Sequence, residues 1–198
     1  NGDSKKDAWC LEFIEKKGFD HLMKLFEKIP TDSLKDTYSI RAMATLTKLI
    51  HFFIDKCNNK LQIEKSKLYN IADILNKLLQ CLLTVTSQTV KEDTTTQPGL
   101  KDNESVKANQ ELVHNSFGVI IDFIKLDTSL INEIYNFSDL KSLVLKGLIQ
   151  SNDSKLRIDM SANFEALSDI ASQFSEVSNT QKFNSFLLAF LIKNYMDI

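Results

Sequence analysis

The sequence predicts an all-α fold of roughly eight helices. Apolar residues recur at three- and four-residue steps in one segment after another, as they do on the buried face of an amphipathic helix. No segment of any length alternates between apolar and polar residues, the pattern of a half-exposed strand. With 5 Gly and 2 Pro in 198 residues, the chain also has few of the turn formers that β folds need.

The first half of the chain contains four predicted helices, each with an apolar stripe at helical spacing. We expect the first helix to end at Gly18, because glycine readily takes the left-handed conformation that closes a helix, and the second to end before Pro30. The third has an apolar band wide enough to be buried on more than one side. These helices span residues 5–17, 19–29, 39–57 and 67–84.

Residues 85–108 interrupt the helical pattern. The segment contains the run Thr94-Thr95-Thr96, the pair Pro98-Gly99 and scattered charge, with almost nothing to bury. Such a composition predicts a disordered loop inside a single domain that covers residues 1–198. Beyond the loop, further helices are predicted at residues 111–126, 129–135, 140–149, 153–171 and 180–196.

The helix predicted over residues 153–171 organises the second half of the chain. Asp153 or Ser154 is suited to cap it, since a short polar side chain accepts hydrogen bonds from the first free N–H groups of a helix. We expect the apolar stripe of this helix to pack between the 140–149 helix and the 180–196 helix. The residues of that stripe are Leu156, Met160, Phe164, Leu167 and Ile170.

A pair of helices joined by a short polar turn occurs twice, each time with an arginine early in the second helix. The two copies comprise GFDHL (18–22), Asp32 and Arg41, and NFSDL (136–140), Asp153 and Arg157. A single pair cannot bury its apolar face alone, so neighbouring pairs are expected to stack. This unit resembles a HEAT or armadillo repeat, which implies an α-solenoid, a right-handed superhelix of stacked helices that holds other proteins.

A second resemblance concerns two stretches of the chain. Residues 15–29 read EKKGFDHLMKLFEKI, in which a helix ends at a Gly-Phe step and leads into another helix, and residues 145–171 are similar in style. Both resemble the helical, non-catalytic regions of large ubiquitin-specific proteases of the fat facets type. The resemblance implies a targeting or scaffolding part of a ubiquitin carboxyl-terminal hydrolase. It implies no active-site residue, because the Cys and His boxes of that family are absent from this sequence.

No catalytic, cofactor-binding or metal-binding residue is predicted. The cysteines Cys10, Cys57 and Cys81 are widely spaced in apolar helical contexts without a Cys-x-x-Cys pair, which favours buried free thiols over a metal site or disulfides. No cysteine-protease motif surrounds them. The histidines His21, His51 and His114 leave one alternative open, an enzyme whose site is assembled from dispersed residues. A deep polar pocket that holds a histidine or thiol of perturbed pKa would favour that alternative.

The two arginines, Arg41 and Arg157, each stand near the start of a long apolar helix. Arginine is common at binding hot spots, so one interpretation is a surface anchor for a partner. The other is a brace to an acidic residue of a neighbouring turn, with Asp153 as the partner of Arg157. We favour the brace.

The charge balance and the apolar runs exclude several classes of partner. The chain has 24 basic and 26 acidic residues, for a net charge of −2, which gives no basic footprint for nucleic acid. No apolar run approaches the roughly 18 residues that a membrane span needs. The sequence starts at Asn1 without a methionine, which suggests a fragment of a longer protein. We expect this fragment to be monomeric and located in the cytoplasm or nucleus.

The function predicted from these observations is a non-catalytic protein-interaction or scaffold module without a cofactor, whose protein partners the sequence does not identify. A further alternative is a plain structural bundle that packs on the rest of its parent chain. Uncovered apolar end faces at the helices of Trp9 or Phe186 would favour that alternative.

Overall fold

The computed structural model describes residues 3–61, 70–90 and 103–173, together with Ser185 and Ala189. Within these residues the fold is all-α, which confirms the predicted class, and the one extended pairing is an isolated antiparallel bridge between Val90 and Ser151. The helices are α1 (Asp3–Glu15), α2 (Gly18–Lys28), α3 (Thr37–Leu61), α4 (Ile71–Gln88), α5 (Asn103–Leu126), α6 (Ile131–Asn136), α7 (Leu140–Val144) and α8 (Ser154–Gln173). A π-helical segment, Leu145–Gln150, continues α7.

Helices α3 and α5 lie side by side and run in the same direction. Near the start of α3, the carbonyl oxygen of Ala44 accepts a hydrogen bond from Nδ2 of Asn115 at 3.1 Å. Further along both helices, Nδ1 of His51 lies 2.7 Å from Oδ2 of Asp122. Because the two contacts advance together along both helices, the helices are parallel.

Helix α8 lies against the other side of α5, again in parallel. Nε2 of Gln110 donates to Oδ2 of Asp153, just before α8 begins, at 2.8 Å. About two turns further along α5 and three turns along α8, the rings of Phe117 and Phe164 meet edge to face with their centroids 5.4 Å apart. Helices α3, α5 and α8 therefore form one layer of parallel helices.

A second layer contains α4 and the α7–π segment, which run in the opposite direction. At the end of α4, Nε2 of Gln88 donates to the carbonyl oxygen of Leu34, shortly before α3 begins, at 2.6 Å. The next residues pair with the end of the π segment through the bridge between Val90 and Ser151. The C-terminal ends of α4 and of the π segment thus lie at the edge where α3 and α8 begin. The apolar core lies between the two layers. Its largest fully buried side chains include Phe26, Phe53, Phe117, Phe123, Met23 and Leu34.

The turn between α1 and α2 differs from its prediction in one respect. The left-handed residue is Lys17, with φ 61°, and Gly18 is the first residue of α2. A Cβ at Gly18 would collide with the ring of Phe13. The glycine is required here for the close approach of an aromatic ring, and not for a positive φ.

The predicted loop over residues 85–108 is too long at both ends. Helix α4 continues to Gln88, where the hydroxyls of Thr86 and Ser87 donate to the carbonyl oxygen of Leu83 and so satisfy themselves within the helix. Helix α5 already begins at Asn103. Residues 91–102, the middle of the predicted loop, lie outside the described residues.

Two other predictions fall wholly or partly outside the described part of the chain. The helix predicted over residues 180–196 lies outside it, except for Ser185 and Ala189, and so does the start of the helix predicted at residues 67–84. The fourth helix is described from Ile71 onward. The packing of α8 on the predicted last helix therefore stays a prediction.

The apolar stripe of α8 packs on the α7–π segment, as predicted, and also on α5, which was not predicted as its neighbour. Met160 lies against Gly147 in the π segment, so closely that a Cβ at that glycine would collide with the Met160 methyl group. Phe164 packs on Phe117 of α5, a neighbour that the sequence analysis did not assign. Met160, Phe164 and Leu167 are all buried. The phase of the predicted stripe is correct, and α5 is the neighbour that was missing.

Candidate functional site

A groove of about 960 Å³ follows the layer of parallel helices and is lined by residues of α3, α5 and α8. The lining residues of each helix are single residues or adjacent pairs that recur every three or four positions, so each helix presents one face to the groove. Two histidines, His51 and His114, lie in its lining together with the partly exposed ring of Phe52. The charged residues of the lining are Lys48, Asp55, Lys107, Glu111, Lys155 and Asp159.

His51 is held in the groove by a glycine and a carboxylate of α5. Its Cδ2, Nε2 and Cε1 atoms all lie 3.0–3.1 Å from the point that a Cβ of Gly118 would occupy, so the ring rests face-on over that glycine. Its Nδ1 donates to Oδ2 of Asp122 at 2.7 Å. The Asp122 side chain is 12% exposed and that of His51 36%. The contact therefore fixes the orientation of the imidazole while part of the ring stays accessible.

The position of Asp122 between the helices disfavours the charged form of its carboxyl group. Burial raises its pKa above the ordinary value, and the nearby charge of Asp55 acts in the same direction. The hydrogen bond from His51 and its charge oppose that shift, as does the charge of Lys125. Burial is the largest of these effects, so the carboxylate depends on His51 for its main compensation.

A histidine oriented by a carboxylate can accept a proton through its second nitrogen. Among the described lining residues, however, the one hydroxyl belongs to Thr45, and none carries a thiol. Cys10 and Cys81 are buried free thiols, as predicted, and burial raises the pKa of Cys81 to about 12. The side chain of Cys57 lies outside the described residues. No group of three or more His, Cys, Asp or Glu in the described chain is arranged to hold a metal ion.

Hydrogen bonds of Thr89 with Ser151 and Asn152, which we call the polar clasp, join the two layers at the edge where they meet. The hydroxyl of Ser151 donates to Oγ1 of Thr89 at 2.8 Å, and the backbone N–H of Asn152 donates to the Thr89 carbonyl oxygen at 2.8 Å. Both side chains in this contact are buried. A second cavity of about 440 Å³ lies beside the clasp and is lined in part by Asn109 and Ser105. The clasp fixes the second layer against the start of α8.

Both arginines act as braces, although one of them has a different partner from the predicted one. Nη1 of Arg157 donates to the carbonyl oxygen of Ser151 at 2.7 Å, and not to Asp153. Oδ1 of Asp153 instead accepts from the Leu156 N–H at 3.0 Å, which is the predicted helix cap. Arg41 forms an ion pair of 3.2 Å with Glu104 at the start of α5.

No site residue is predicted from the sequence, and the structure brings two of the chain's three histidines together in one groove. His51 and His114 both line the groove, whereas His21 is exposed on α2 and is not in its lining. The glycine under His51 was a usable signal, since an isolated glycine in an apolar helix often marks a close approach. The sequence could not show which side chain approaches it.

Comparisons of this chain with family models, curated proteins and solved structures find no match. In the described part of the chain, no helix combines the length and the apolar character that crossing a membrane requires.

Proposed function

We propose that this chain is a protein-interaction module with the architecture of an armadillo/HEAT-like α-solenoid, and that the groove along α3, α5 and α8 is its binding surface. The observation that carries the proposal is the parallel arrangement of these three helices, with antiparallel helices in a second layer behind them. Stacked helical pairs produce such layers, and they bind partners along the surface that one layer forms.

The chemistry of the groove suits a polypeptide better than a nucleic acid. Its three lysines are matched by three carboxylates, so the groove carries no excess of positive charge. Phe52 adds a partly exposed aromatic ring that offers an apolar contact to a peptide side chain. Its volume is at the upper end of the range of small-molecule sites, about 300–1,000 Å³, and is sufficient for several side chains.

We further propose, from the resemblance of residues 15–29 and 145–171, that the module belongs to a large ubiquitin-specific protease of the cytoplasm or nucleus. In that setting the module would bind a substrate or regulator, and the hydrolysis would take place in another part of the chain. An intact parent sequence that contains the Cys and His boxes of such a protease would support this parentage, and one without them would contradict it.

The proposed binding surface can be tested by selecting peptides from a displayed library on the immobilised chain. The affinity of the selected peptides is then measured for the wild type, for Lys48→Glu in the groove and for Lys141→Glu on α7, which makes the same charge change outside the groove lining. We expect Lys48→Glu to weaken binding by about tenfold, equivalent to about 1.4 kcal/mol. Equal affinities for the two variants would show that binding takes place elsewhere.

The orientation of His51 by Asp122 favours a second candidate function, a hydrolase that uses His51 as a general base. The described groove lining holds no thiol and a single hydroxyl, so this candidate ranks second. Its test is the hydrolysis of p-nitrophenyl acetate by the wild type, His51→Gln and His21→Gln. A specific loss of rate in His51→Gln would support it. Equal small losses in both variants would reflect ordinary imidazole reactivity and exclude it.

A further inference from the structure

Two buried side-chain atoms have no hydrogen-bond partner in the part of the chain that the structure describes. They are Oδ1 of Asn109 and Oγ of Ser116, both on α5. Other buried polar side chains are paired, as Thr89 and Ser151 are with each other. Nearly all buried polar groups of folded proteins have such a partner, so an exception calls for a physical reason.

Asn109 differs from Ser116 because it lines a cavity. The cavity of about 440 Å³ beside the polar clasp is bounded by the end of α4, the first two turns of α5 and the start of α8. Asn109 is 5% exposed. A helical side chain leans toward the preceding turn, so the Asn109 amide lies over the turn of Ser105 and Val106, which belong to the same lining. The amide with the unpaired oxygen is therefore part of the cavity wall.

The cavity is polar but offers little charge to a ligand. Among its described lining residues, Val106 is the one apolar residue and Asp153 the one charged residue. The Asp153 carboxylate is already compensated, because it accepts hydrogen bonds from the Leu156 N–H and from Nε2 of Gln110 and stands at the positive end of α8. It therefore attracts a cation only weakly, and no basic residue of the described lining attracts an anion. The cavity favours an uncharged ligand.

We infer that this cavity binds a small uncharged molecule that carries a primary carboxamide group. An N–H of that group donates to Oδ1 of Asn109, and its oxygen accepts from the hydroxyl of Ser105 or Ser154. The last torsion of an asparagine side chain is soft, so the Asn109 amide can turn toward a bound donor. The cavity volume is within the range of small-molecule sites, about 300–1,000 Å³. No described residue lines both the cavity and the groove, so the inference does not depend on the proposed function.

Benzamide and acetophenone test the inference with the full chain, since they have nearly the same shape and only benzamide has N–H donors. Titrations followed by two-dimensional NMR of the backbone amides measure both affinities. We expect benzamide to shift the signals of Asn109 and Asp153 with a Kd of about 1 mM, and acetophenone to bind about tenfold more weakly. Equal affinities would overturn the inference. So would the absence of a saturable shift with benzamide, because water alone would then meet the unpaired oxygen.

Benzoate tests whether the ligand must be uncharged. It has the shape of benzamide with a negative charge, and it places that charge beside the Asp153 carboxylate. We expect it to bind about tenfold more weakly than benzamide at low salt. Tighter binding of benzoate than of benzamide would show that the cavity is an anion site, which contradicts the inference.

Two substitutions on α5 show whether benzamide binds at the unpaired oxygen. Asn109→Leu keeps the size of the side chain and removes the acceptor, so it should weaken benzamide binding about tenfold. Ser116→Ala removes the other unpaired atom, which lies outside the cavity lining, and should bind benzamide as the wild type does. Unchanged binding in Asn109→Leu, or an equal loss in both variants, would overturn the inference. If Asn109→Leu fails to fold by circular dichroism, Ser105→Trp at the half-buried edge of the cavity should block benzamide by filling the space, and unchanged binding there would contradict the site.

Discussion

Helix α5 has two neighbours in its layer, and it contacts them with different chemistry. The α3–α5 contact includes the His51–Asp122 hydrogen bond, and the close approach there is possible because Gly118 has no side chain. The α5–α8 contact is centred on the edge-to-face packing of Phe117 and Phe164. Polar contacts between helices add little net stability but fix geometry, whereas apolar contacts stabilise in proportion to buried area. We therefore expect the His51–Asp122 hydrogen bond to position groove residues and the Phe117–Phe164 packing to contribute more to stability.

The largest expected effect is the loss of an aromatic ring from the α5–α8 contact. Phe164→Ala should lower the free energy of unfolding by about 3–5 kcal/mol, because it removes a buried ring and leaves a cavity. The control is Glu165→Ala, one residue further along and exposed, which should lower it by well under 1 kcal/mol. Chemical denaturation measures both. Small and equal losses would show that the packing of Phe164 on Phe117 contributes little to stability.

A smaller effect is expected where the helices α3 and α5 approach most closely. In Gly118→Ala the new Cβ would press on the ring of His51, and such overpacking costs about 1–3 kcal/mol, more than the roughly 1 kcal/mol that alanine gains over glycine in a helix. In a His51→Ala background the clash is absent, so the same change should stabilise the protein. A double-mutant cycle by urea denaturation tests this reversal of sign. A stabilising effect in both backgrounds would mean that the imidazole is not held against Gly118.

The pH dependence of stability tests the carboxylate in the same contact. The pKa of Asp122 is raised in the folded state from its ordinary value of 3.8, so the folded chain holds this proton more tightly than the unfolded chain. The stabilisation that this bound proton contributes to the folded state is therefore fully present below the ordinary pKa of 3.8. It is lost as the pH rises through the folded-state pKa. Relative to Asp122→Asn, the wild type should lose stability with rising pH across the acid range.

Urea denaturation at a series of pH values measures this difference, and Asp169→Asn, at an exposed site on α8, is the control for the removal of one surface carboxylate. A wild type that gains stability relative to Asp122→Asn with rising pH would show that the hydrogen bond from His51 outweighs the burial of the carboxylate.

The positions of the described helices and the inner face of α8 could be predicted from the sequence, because they depend on residues close together in the chain. The stripe of Met160, Phe164 and Leu167 and the Asp153 cap are examples, since helical spacing and a local polar turn define them. The solenoid arrangement itself stays a proposal. The helical ends at residues 85–88 and 103–108 were missed, because their polar residues are satisfied or buried by contacts that an apolar pattern does not record.

The groove could not be predicted, because it depends on which helices become neighbours. His51 and Asp122 are 71 positions apart, and neither has a sequence neighbour that indicates the other. A single histidine on an apolar helix is usually a packed core residue, so its spacing gave no reason to select it. Only the pairing of α3 with α5 makes His51, Gly118 and Asp122 into one local arrangement.

The smallest expected effect belongs to the ion pair at the start of the α3–α5 contact. The side chains of Arg41 and Glu104 lie 3.2 Å apart but are 41% and 61% exposed, so water and salt weaken their attraction. Arg41→Met, which keeps most of the aliphatic stem, should lower the free energy of unfolding by less than about 1 kcal/mol, and about 0.5 M NaCl should abolish most of that difference. A loss as large as that of Phe164→Ala, independent of salt, would mean that this exposed ion pair stabilises the fold as much as the buried aromatic ring does. The division of roles between the polar and the aromatic contacts of α5 would then be wrong.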